Sequence, residues 1–384
     1  MRPGRNSRRA GKESYMLKRR QSAAALTHAL TQHAKRMGID LAGCTSAGPF
    51  TRGHDWQELD PRKIMPDARS VVVTACYLYG LELREPTKQG APRLRPDSSG
   101  LRRVKARGRF GPSTRAAQAG EPYGAKVVAD FLKDRGYEAA PAGNLPQKQA
   151  AVRSRIAYYG KNSIVHADGF GSYLALSTAV TDAELECVDG PIESSDCGDC
   201  DACVEACPTG ALQPYQLTVA RCICPPTGGL WGRPISREDR AKVDSHIFRC
   251  GFCQEACPKN EGLTPRTEFP FEIEAREDFP ELIPLILGDE AYYQATLPAF
   301  ALRAGVDTMR RNVILAAGNS GDSAVVPHLI RALDLPHIET RAAAAWSLGR
   351  LSGPAARKAL RERLAQEQEP TVREEIEQAL SESG

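Results

Sequence analysis

The sequence predicts an α+β protein built from three parts, and three features of its 384 residues lead to this prediction. Helical and strand patterns alternate in the first half, as they do in a mixed domain. Ten of the twelve cysteines lie between Cys187 and Cys257. The C-terminal part is rich in alanine and repeats itself. We therefore expect an α/β domain over residues 17–190, a cysteine-rich module over 191–265 and helical repeats over 280–384.

Residues 1–16 predict a disordered basic leader, in which Glu13 is the one acid, and Met16 is an alternative start. The pair Arg19-Arg20 would open a twin-arginine export signal only if a long apolar run followed. Gln, Thr and His interrupt the stretch that does follow, QSAAALTHALTQHAKR. No stretch reaches the roughly 18 apolar residues of a membrane span. We therefore expect a cytoplasmic protein without a membrane span.

The α/β domain is predicted from a series of alternating patterns. Residues 22–37 have helical spacing, and a turn after them leads into a short strand. Residues 70–79 form an apolar run typical of a buried strand. The segment EPYGAKVVADFLKDRGYEAAP predicts a helix ended by Gly136 and then a strand, and a second helix follows around KQAAVRSRIA. The segments YYGKNSIVH and GSYLALSTAVTD are predicted to pair as strands, while the strand order stays open.

Residues 80–120 are rich in Arg, Gly, Pro and Ser and predict a long loop. The formal net charge of the chain is only +4, which does not by itself indicate a nucleic-acid partner. Two interpretations of the loop remain open. Its basic side chains are either solvated, or they form a surface that contacts the phosphates of RNA.

The first cysteine run predicts an iron-sulfur site. Cys197, Cys200, Cys203 and Cys207 are followed by Pro208 and match the C-x2-C-x2-C-x3-C-P pattern of bacterial ferredoxins. Three thiolates on one tight loop can bind three corners of a single cube. The fourth cysteine begins a helix, faces away and binds a different cube. A second run is therefore required.

That second run contains Cys250, Cys253 and Cys257, followed by Pro258, and it lacks one ligand. Either Cys222 or Cys224 supplies it, and Cys222 is the preferred assignment. The ligands of cluster 1 are then Cys197, Cys200, Cys203 and Cys257, and those of cluster 2 are Cys207, Cys222, Cys250 and Cys253. Structural zinc is the alternative, since four cysteines suffice for it. Cys44, Cys76 and Cys187 lie outside the pattern and are interpreted as small buried side chains.

The C-terminal repeats are recognised by an offset of 31 residues. The copies begin at Arg310 and Arg341, so that Gly318 aligns with Gly349, and a partial third copy starts near Val372. Alanine-rich helix pairs at such a period are typical of HEAT-like repeats. A solenoid of this kind usually presents a binding surface.

Taken together, the sequence resembles the epoxyqueuosine reductase family. The resemblance depends on GKNS at 160–163, GSYLALSTAVTDAELE at 171–186, RRNVILAAGNSGD at 310–322 and the two cysteine runs. It implies a cobalamin-binding α/β domain, a ferredoxin-like module with two [4Fe–4S] clusters and a HEAT-like tail. The implied activity removes the epoxide oxygen of the tRNA base epoxyqueuosine, with electrons that the clusters receive from an unidentified donor.

The resemblance also implies a partner and a cofactor site. The tail would help to hold tRNA, and the protein would be a monomer. Gly160, Lys161, Asn162 and Ser172 would lie beside the corrin or its tail.

One departure from the family concerns the proton donor. Family members carry an aspartate upstream of the GKN segment, but no Asp or Glu lies between Glu138 and Asp168 here, and Asn144 is nearest to the expected place. RIAY also replaces the usual GLGW. The proton would then come from water or Tyr158, or the chain is a divergent relative. Two such alternatives are a non-catalytic electron carrier or RNA-binding scaffold, and a reductase of small molecules that resembles reductive dehalogenases.

Overall fold

The computed structural model describes residues 22–51, 58–79, 106–110, 114–190, 197–229, 234–266, 268–271 and 280–382. The predicted leader and most of the predicted basic loop lie outside the described residues.

The N-terminal domain is a four-stranded sheet covered by helices on both faces. Its elements in chain order are α1 (Ala23–Arg36), β1 (Leu41–Ser46), β2 (Phe50–Thr51), β3 (Glu58–Leu59), β4 (Ser70–Tyr77), β5 (Arg109–Phe110), α2 (Thr114–Lys133), β6 (Ala139–Pro141), α3 (Gln147–Arg153), β7 (Tyr158–Tyr159), β8 (Val165–His166) and β9 (Leu174–Thr181). The sheet has the order β1-β4-β9-β6, and every pair in it is antiparallel. The expected alternation of helices and strands is confirmed.

The two faces of the sheet have separate cores, because successive side chains of a strand point to opposite faces. Val72 of β4 packs with Leu30 of α1 and Leu132 of α2 on one face. Its neighbour Val71 packs with Ala150 and Val152 of α3 on the other face. The helix α3 and the loops near it therefore lie on the opposite side of the sheet from α1 and α2.

The start of α2 differs from the sequence-based expectation. The helix begins at Thr114, inside the predicted loop, and passes through Pro122. Proline removes one helical hydrogen bond, so it favours a helix start in a sequence. The following turns bury Val128, Phe131 and Leu132 against the sheet, and this packing outweighs the lost bond.

The expected pairing of YYGKNSIVH with GSYLALSTAVTD is wrong. The first segment folds back on itself as the β7–β8 hairpin, closed by a hydrogen bond from Gly160 N to Ile164 O of 2.9 Å. The strand β9 in the second segment pairs with β4 and β6 instead. Nearly all of β9 is buried, so it takes a central position in the sheet, while the short first segment forms only a hairpin.

The cysteine-rich module contains short elements joined by turns. They are α4 (Ala202–Glu205), β10 (Leu212–Gln213), β11 (Gln216–Leu217), α5 (Cys224–Thr227), α6 (Arg237–Arg240), β12 (His246–Phe248) and α7 (Phe252–Glu255). β12 pairs in parallel with β5, which ties the module to the N-terminal part of the chain. Regular structure this short needs tertiary contacts or bound groups to be stable.

The tail is helical, as the repeats predicted. Its helices are α8 (Leu282–Leu287), α9 (Glu290–Thr296), α10 (Ala299–Leu302), α11 (Val306–Asn319), α12 (Val326–Ala332), α13 (Ile338–Leu351), α14 (Pro354–Leu364) and α15 (Pro370–Glu382). The two glycines aligned by the repeat have the same role. A Cβ at Gly318 would lie 2.6 Å from Ser347 Cβ of α13, and one at Gly349 would lie 2.8 Å from Ala379 Cβ of α15. Glycine at both positions lets successive helices pack closely.

The tail shares one hydrophobic core with the cysteine-rich module. Ile223 and Ile247 of the module belong to the same buried cluster as Val313 of α11 and Trp346 of α13. Two polar side chains of α11 bind the module directly. Arg311 Nη2 donates to Pro226 O at 2.6 Å, and Asn312 Nδ2 donates to Thr227 O and Ile247 O, both at 2.8 Å. A truncation at residue 310 would therefore remove part of the core of the module.

Asn312→Ala tests whether this contact supports the cysteines beside it. The carbonyls that it would release lie three residues from Cys224 and from Cys250. An unsatisfied buried carbonyl costs about 1–3 kcal/mol, so we expect lower thermal stability and faster loss of iron from the neighbouring cysteine set. Thermal unfolding and iron assays measure these effects.

Asn319→Ala is the matched control. Asn319 also binds two module carbonyls, Arg240 O at 2.9 Å and Asp244 O at 3.0 Å, but these lie further from the cysteines. Both variants should lose stability, and only Asn312→Ala should lose iron faster. Equal iron loss from the two variants would contradict a specific role for Asn312.

Candidate metal centres and cofactor cavity

Four cysteines from the two runs surround a cavity of about 160 Å³. Its wall contains Cys197, Cys200, Cys203 and Cys257, together with residues of the GKN segment. The sequence assigned these four thiols to cluster 1. The fourth comes from the second run because α4 and α7, which follow the first cysteines of each run, pack side by side.

His166 gives a further indication of what this cavity holds, which is the smaller of two cavities lined by thiols. Its side chain lines the cavity, and its Nδ1 is buried with no hydrogen-bond partner among the described residues. Burial lowers the pKa of His166 to about 4, so the ring is neutral at neutral pH. Hydrogen bonds to the sulfurs of an iron-sulfur cluster tune its potential, and an imidazole nitrogen without a partner in this wall fits that arrangement.

A larger cavity of about 400 Å³ lies between the second cysteine set and the sheet domain. The thiols in its wall are those of Cys207, Cys222, Cys224, Cys250 and Cys253. The sheet domain contributes the apolar residues Val165, Leu174 and Leu176 to the opposite wall, together with polar side chains. A cavity of this volume is within the range of small-molecule sites. The cavity lined by Cys197, Cys200, Cys203 and Cys257 is smaller, at about 160 Å³.

Both Cys222 and Cys224 line the larger cavity, so the choice between them stays open. Burial raises the pKa of the Cys253 thiol to about 12, and it also raises the pKa values of Cys224 and Cys250. Bound metal reverses this preference, because a coordinating thiol is deprotonated. No group of three His, Cys, Asp or Glu side chains in the described part of the chain is placed to hold a single metal ion. Thiols spread around a cavity suit a polynuclear cluster better than one zinc ion.

The GKN segment lies between the two cavities. Asn162 lines both of them, and its Nδ2 donates to Cys253 O at 3.1 Å. Lys161 is buried and forms an ion pair of 2.9 Å with Asp201, which lies between Cys200 and Cys203. At Gly160, a Cβ would lie 2.6 Å from His166 Nε2, so a larger residue would displace that ring. The segment thus contacts both cysteine runs, and the sequence had placed it beside a corrin.

Ser172 joins the sheet domain to the second run through Asn260. Ser172 N donates to Asn260 Oδ1 at 2.8 Å, and Asn260 Nδ2 donates to Ser172 Oγ at 2.9 Å. Gly171 has a φ of +58°, and a Cβ there would overlap the Asn260 side chain. Glycine before serine is therefore required for this contact, and Ser172 lines the larger cavity.

The two positions considered for the proton donor are not in the wall of the larger cavity among the described residues. Asn144 is exposed on a turn, and Tyr158 OH donates to Asp168 at 2.9 Å beside a different, smaller pocket. Burial, followed by the hydrogen bond to Asp168, raises the pKa of Tyr158 to about 12. Neither residue is therefore placed to donate a proton inside the larger cavity.

Among the described residues, Lys148 and Arg249 are the cationic side chains in the wall of the larger cavity. No carboxylate of these residues lies in that wall. Lys148 Nζ donates to Ser163 O at 3.0 Å. Its side chain is accessible through the cavity, yet protein surrounds it, and this burial lowers its pKa. Lys148 was not predicted from the sequence, because the expected proton donor was a carboxylate. Its place in α3, just ahead of the GKN segment, was the available signal.

The fold and the two cavities define an iron-sulfur oxidoreductase with room for a further cofactor. Residues 196–260 match the family model of the 4Fe-4S double cluster binding domain, and residues 299–381 match that of HEAT repeats. The epoxyqueuosine reductase of Bacillus subtilis (strain 168) is 28% identical over 92% of this chain and 95% of its own length. That of Bacillus cereus is 27% identical over 91% of this chain and 95% of its own length.

Solved structures agree with these relatives. A selenomethionine-labelled epoxyqueuosine reductase superposes with a TM-score of 0.78 at 25% identity, covering 94% of this chain and 99% of its own. An epoxyqueuosine reductase with an epoxyqueuosine-modified tRNA-Tyr stem loop has a TM-score of 0.77 at 25% identity, covering 93% and 98%. Over nearly its whole length, the chain is thus similar to epoxyqueuosine reductases in sequence and in fold. No helix among the described residues is long and apolar enough to cross a membrane.

Proposed function

We propose that this protein reduces epoxyqueuosine to queuosine in tRNA, using cobalamin and two [4Fe–4S] clusters. The observation that carries the proposal is the pair of thiol-lined cavities, with Asn162 in the wall of both. Removing the epoxide oxygen as water consumes two electrons and two protons. The site must therefore conduct electrons to one place and supply protons at the same place.

We assign the smaller cavity to cluster 1, held by Cys197, Cys200, Cys203 and Cys257. We assign the thiol-lined side of the larger cavity to cluster 2, held by Cys207, Cys222, Cys250 and Cys253. Leu174, Leu176 and Ser172, in the wall of the same cavity, would contact part of the cobalamin, which as a whole is larger than the cavity. When bound, cobalamin supplies a low-valent cobalt that acts on the epoxide. Lys161, through Asp201, and Asn162, through Cys253 O, keep the sheet domain against both cysteine runs, which keeps the distance for electron transfer short.

The cations of the larger cavity have two roles in this proposal. The Lys148 ammonium holds a proton at Nζ, and desolvation lowers its pKa, which makes it a better acid than an ordinary lysine. The proton passes to the alkoxide oxygen that epoxide opening creates. The Arg249 guanidinium, in the wall of the same cavity, would favour the anionic state of that oxygen.

Turnover of a defined RNA tests the proposal. The anaerobically reconstituted full chain, supplied with cobalamin and a low-potential reductant, should convert an epoxyqueuosine-modified stem loop to the queuosine form, as measured by mass spectrometry of the nucleosides. Cobalamin binding is followed separately by its absorption spectrum. Cobalamin binding without turnover of the RNA, but with reduction of halogenated phenols, would favour the small-molecule reductase. Intact clusters without cobalamin binding would favour the carrier or scaffold.

We further propose that the protein works as a monomer in the cytoplasm, where tRNA and a reducing environment coexist. Its electron donor is a separate low-potential carrier. The tail would hold the RNA through its outer helices. Arg357, Lys358 and Arg361 lie together on α14, and Lys358 and Arg361 are exposed.

Exchanging the two exposed cations of α14 tests the RNA surface. Lys358→Glu with Arg361→Glu should weaken stem-loop binding and should reduce the salt dependence of the binding constant, because fewer counterions are released from the phosphates. The slope of log K against log salt should fall by about 1 for each lost phosphate contact. Binding is measured by fluorescence anisotropy at several salt concentrations.

The matched control exchanges two exposed lysines on α2, Lys126→Glu with Lys133→Glu. That helix covers the face of the sheet opposite α3 and therefore lies away from the larger cavity. The net charge changes equally in both double variants. Equal weakening in the two would mean that overall charge, and not the α14 surface, governs binding.

A further inference from the structure

Two cysteines outside both cysteine runs lie side by side at the edge of the sheet. Cys44 belongs to β1, which is an edge strand of the sheet. The segment Glu186–Asp189 runs along the open side of β1. Val188 N donates to Cys44 O at 3.3 Å, and Ser46 N donates to Asp189 Oδ1 at 3.1 Å. Neither cysteine is in the wall of the two described thiol-lined cavities.

Cys44 and Cys187 pack in the same hydrophobic cluster, with their thiols within hydrogen-bonding reach of each other. Cys44 Sγ has two acceptors within reach, Glu186 O at 3.3 Å and the Cys187 sulfur, and the Ser70 hydroxyl also contacts Cys187. Chains that are hydrogen-bonded side by side lie about 4.7–4.9 Å apart. This spacing is within the roughly 4.4–6.8 Å that a disulfide spans between Cα atoms. The backbone therefore needs little movement for these two sulfurs to be joined.

The two cysteines differ in accessibility and in acidity. Cys44 is buried, with 5% of its surface exposed, whereas Cys187 is only half-buried. The hydrogen bond from Cys44 lowers the pKa of the Cys187 thiol and raises the pKa of Cys44. The nearby charge of Asp189 acts in the opposite direction on Cys187, because it raises the pKa of that thiol. The thiolate is the form that attacks disulfides. Cys187 thus has the features of an attacking thiol, and Cys44 those of a resolving thiol.

We propose that Cys44 and Cys187 form a redox-active dithiol site that reacts with small-molecule disulfides. The Cys187 thiolate attacks one sulfur of the small disulfide, forming a mixed disulfide and releasing one small thiol. The Cys44 sulfur, as it loses its proton, then attacks Cys187 and releases the second small thiol. In balance, one small disulfide is reduced to two thiols, and the two protein thiols are oxidised to one disulfide. This inference does not depend on the proposed function.

The disulfide would have a defined structural effect. It would fasten the segment Glu186–Asp189 to β1, and this segment ends eight residues before Cys197, the first ligand assigned to cluster 1. The point where the chain leaves the sheet domain would then be covalently fixed to β1. A cross-link of this kind restricts the unfolded chain and therefore raises thermal stability.

The test uses the full chain with its clusters loaded, under anaerobic conditions, and cystamine as the probe. Cystamine should remove two free thiols per chain and yield a Cys44–Cys187 cross-linked peptide in mass spectrometry after alkylation. The iron content should not change. The melting temperature should rise, and dithiothreitol should reverse both the cross-link and this rise.

Three variants separate the two roles. Cys44→Ser should stop at a mixed disulfide of cystamine with Cys187, because no resolving thiol remains. Cys187→Ser should leave Cys44 unmodified, because Cys44 is buried. Cys76→Ser, which removes a buried cysteine of β4, should behave as the unmodified chain does.

The unmodified chain by itself can overturn the proposal, whether or not the variants fold. A mixed disulfide that persists on Cys187 without the cross-link would show that Cys44 does not resolve it. If cystamine removes iron from the clusters while Cys44 and Cys187 remain free thiols, the cluster cysteines are the more reactive site. This outcome would also overturn the proposal.

Discussion

Lys148→Met is expected to lower epoxyqueuosine turnover by about 10²- to 10⁴-fold, which is the usual contribution of a positioned acid. Methionine keeps the length of the side chain and removes the proton at Nζ. Iron content and the spectrum of bound cobalamin should be unchanged, because Lys148 donates its hydrogen bond to Ser163 O and not to a cysteine sulfur. Single-turnover measurements under one reductant would separate this effect from electron supply.

Lys148→Arg separates proton donation from charge. Arginine retains the positive charge but does not give up its proton in proteins, so turnover should remain low if Lys148 is the acid. Recovery of turnover in the arginine variant would show that charge alone matters. Lys126→Met, on the exposed surface of α2, is the matched control and should react as the unmodified chain does.

The pH profile provides a second measure of the same role. Burial lowers the pKa of Lys148 from the usual 10.5. An acid is active only while protonated, so turnover should fall as the pH rises through this lowered pKa. The decline should therefore occur at a lower pH than for an ordinary lysine, and Lys148→Met should lack it. A profile that is the same in both proteins would exclude Lys148 as the donor.

Asn144→Asp tests the other placement of the acid. Asn144 is exposed on its turn and is not in the described wall of the larger cavity. We therefore expect little gain in turnover from this substitution, although sequence position alone favoured it. A large gain would indicate that the turn reaches the substrate, and it would remove the need for Lys148.

Cys207→Ala and Cys257→Ala are each expected to abolish turnover and to remove one cluster. Two [4Fe–4S] clusters correspond to about eight iron atoms and eight sulfides per chain, so each variant should retain about four. Cys207 lines the larger cavity and Cys257 the smaller one. Iron and acid-labile sulfide assays, together with the electron paramagnetic resonance of the reduced protein, should show a different surviving cluster in each. Zinc without sulfide would contradict the cluster assignment.

The remaining ligand is decided by a matched pair of variants, Cys222→Ser and Cys224→Ser. Both thiols line the larger cavity. The variant that removes the true ligand should retain about half of the iron, as Cys207→Ala does, and the other should keep the full amount. Loss of the same cluster from both variants would mean that both thiols are needed for it, one as the ligand and the other for the local fold.

The sequence by itself predicted the iron-sulfur chemistry of the cysteine-rich module, the helical tail and the resemblance to epoxyqueuosine reductases. Cysteines two residues apart on a tight loop can reach the corners of one cube, so spacing alone predicts the clusters. The offset of 31 predicted that Gly318 and Gly349 have equivalent positions, and both lie where a side chain would collide with the next helix. Such local patterns are readable because the physical constraint acts between neighbours in the chain.

Only the tertiary structure decided the partners that are distant in sequence. β9 pairs with β4 and β6 because a fully buried strand needs neighbours on both edges, and no local pattern specifies them. Asn312 binds the module across 65 and 85 residues of chain. Lys148 shows the same limit. The sequence presents an ordinary lysine on a helix, but folding places it in a cavity among thiols and apolar side chains, where the cost of desolvating its charge changes its acidity.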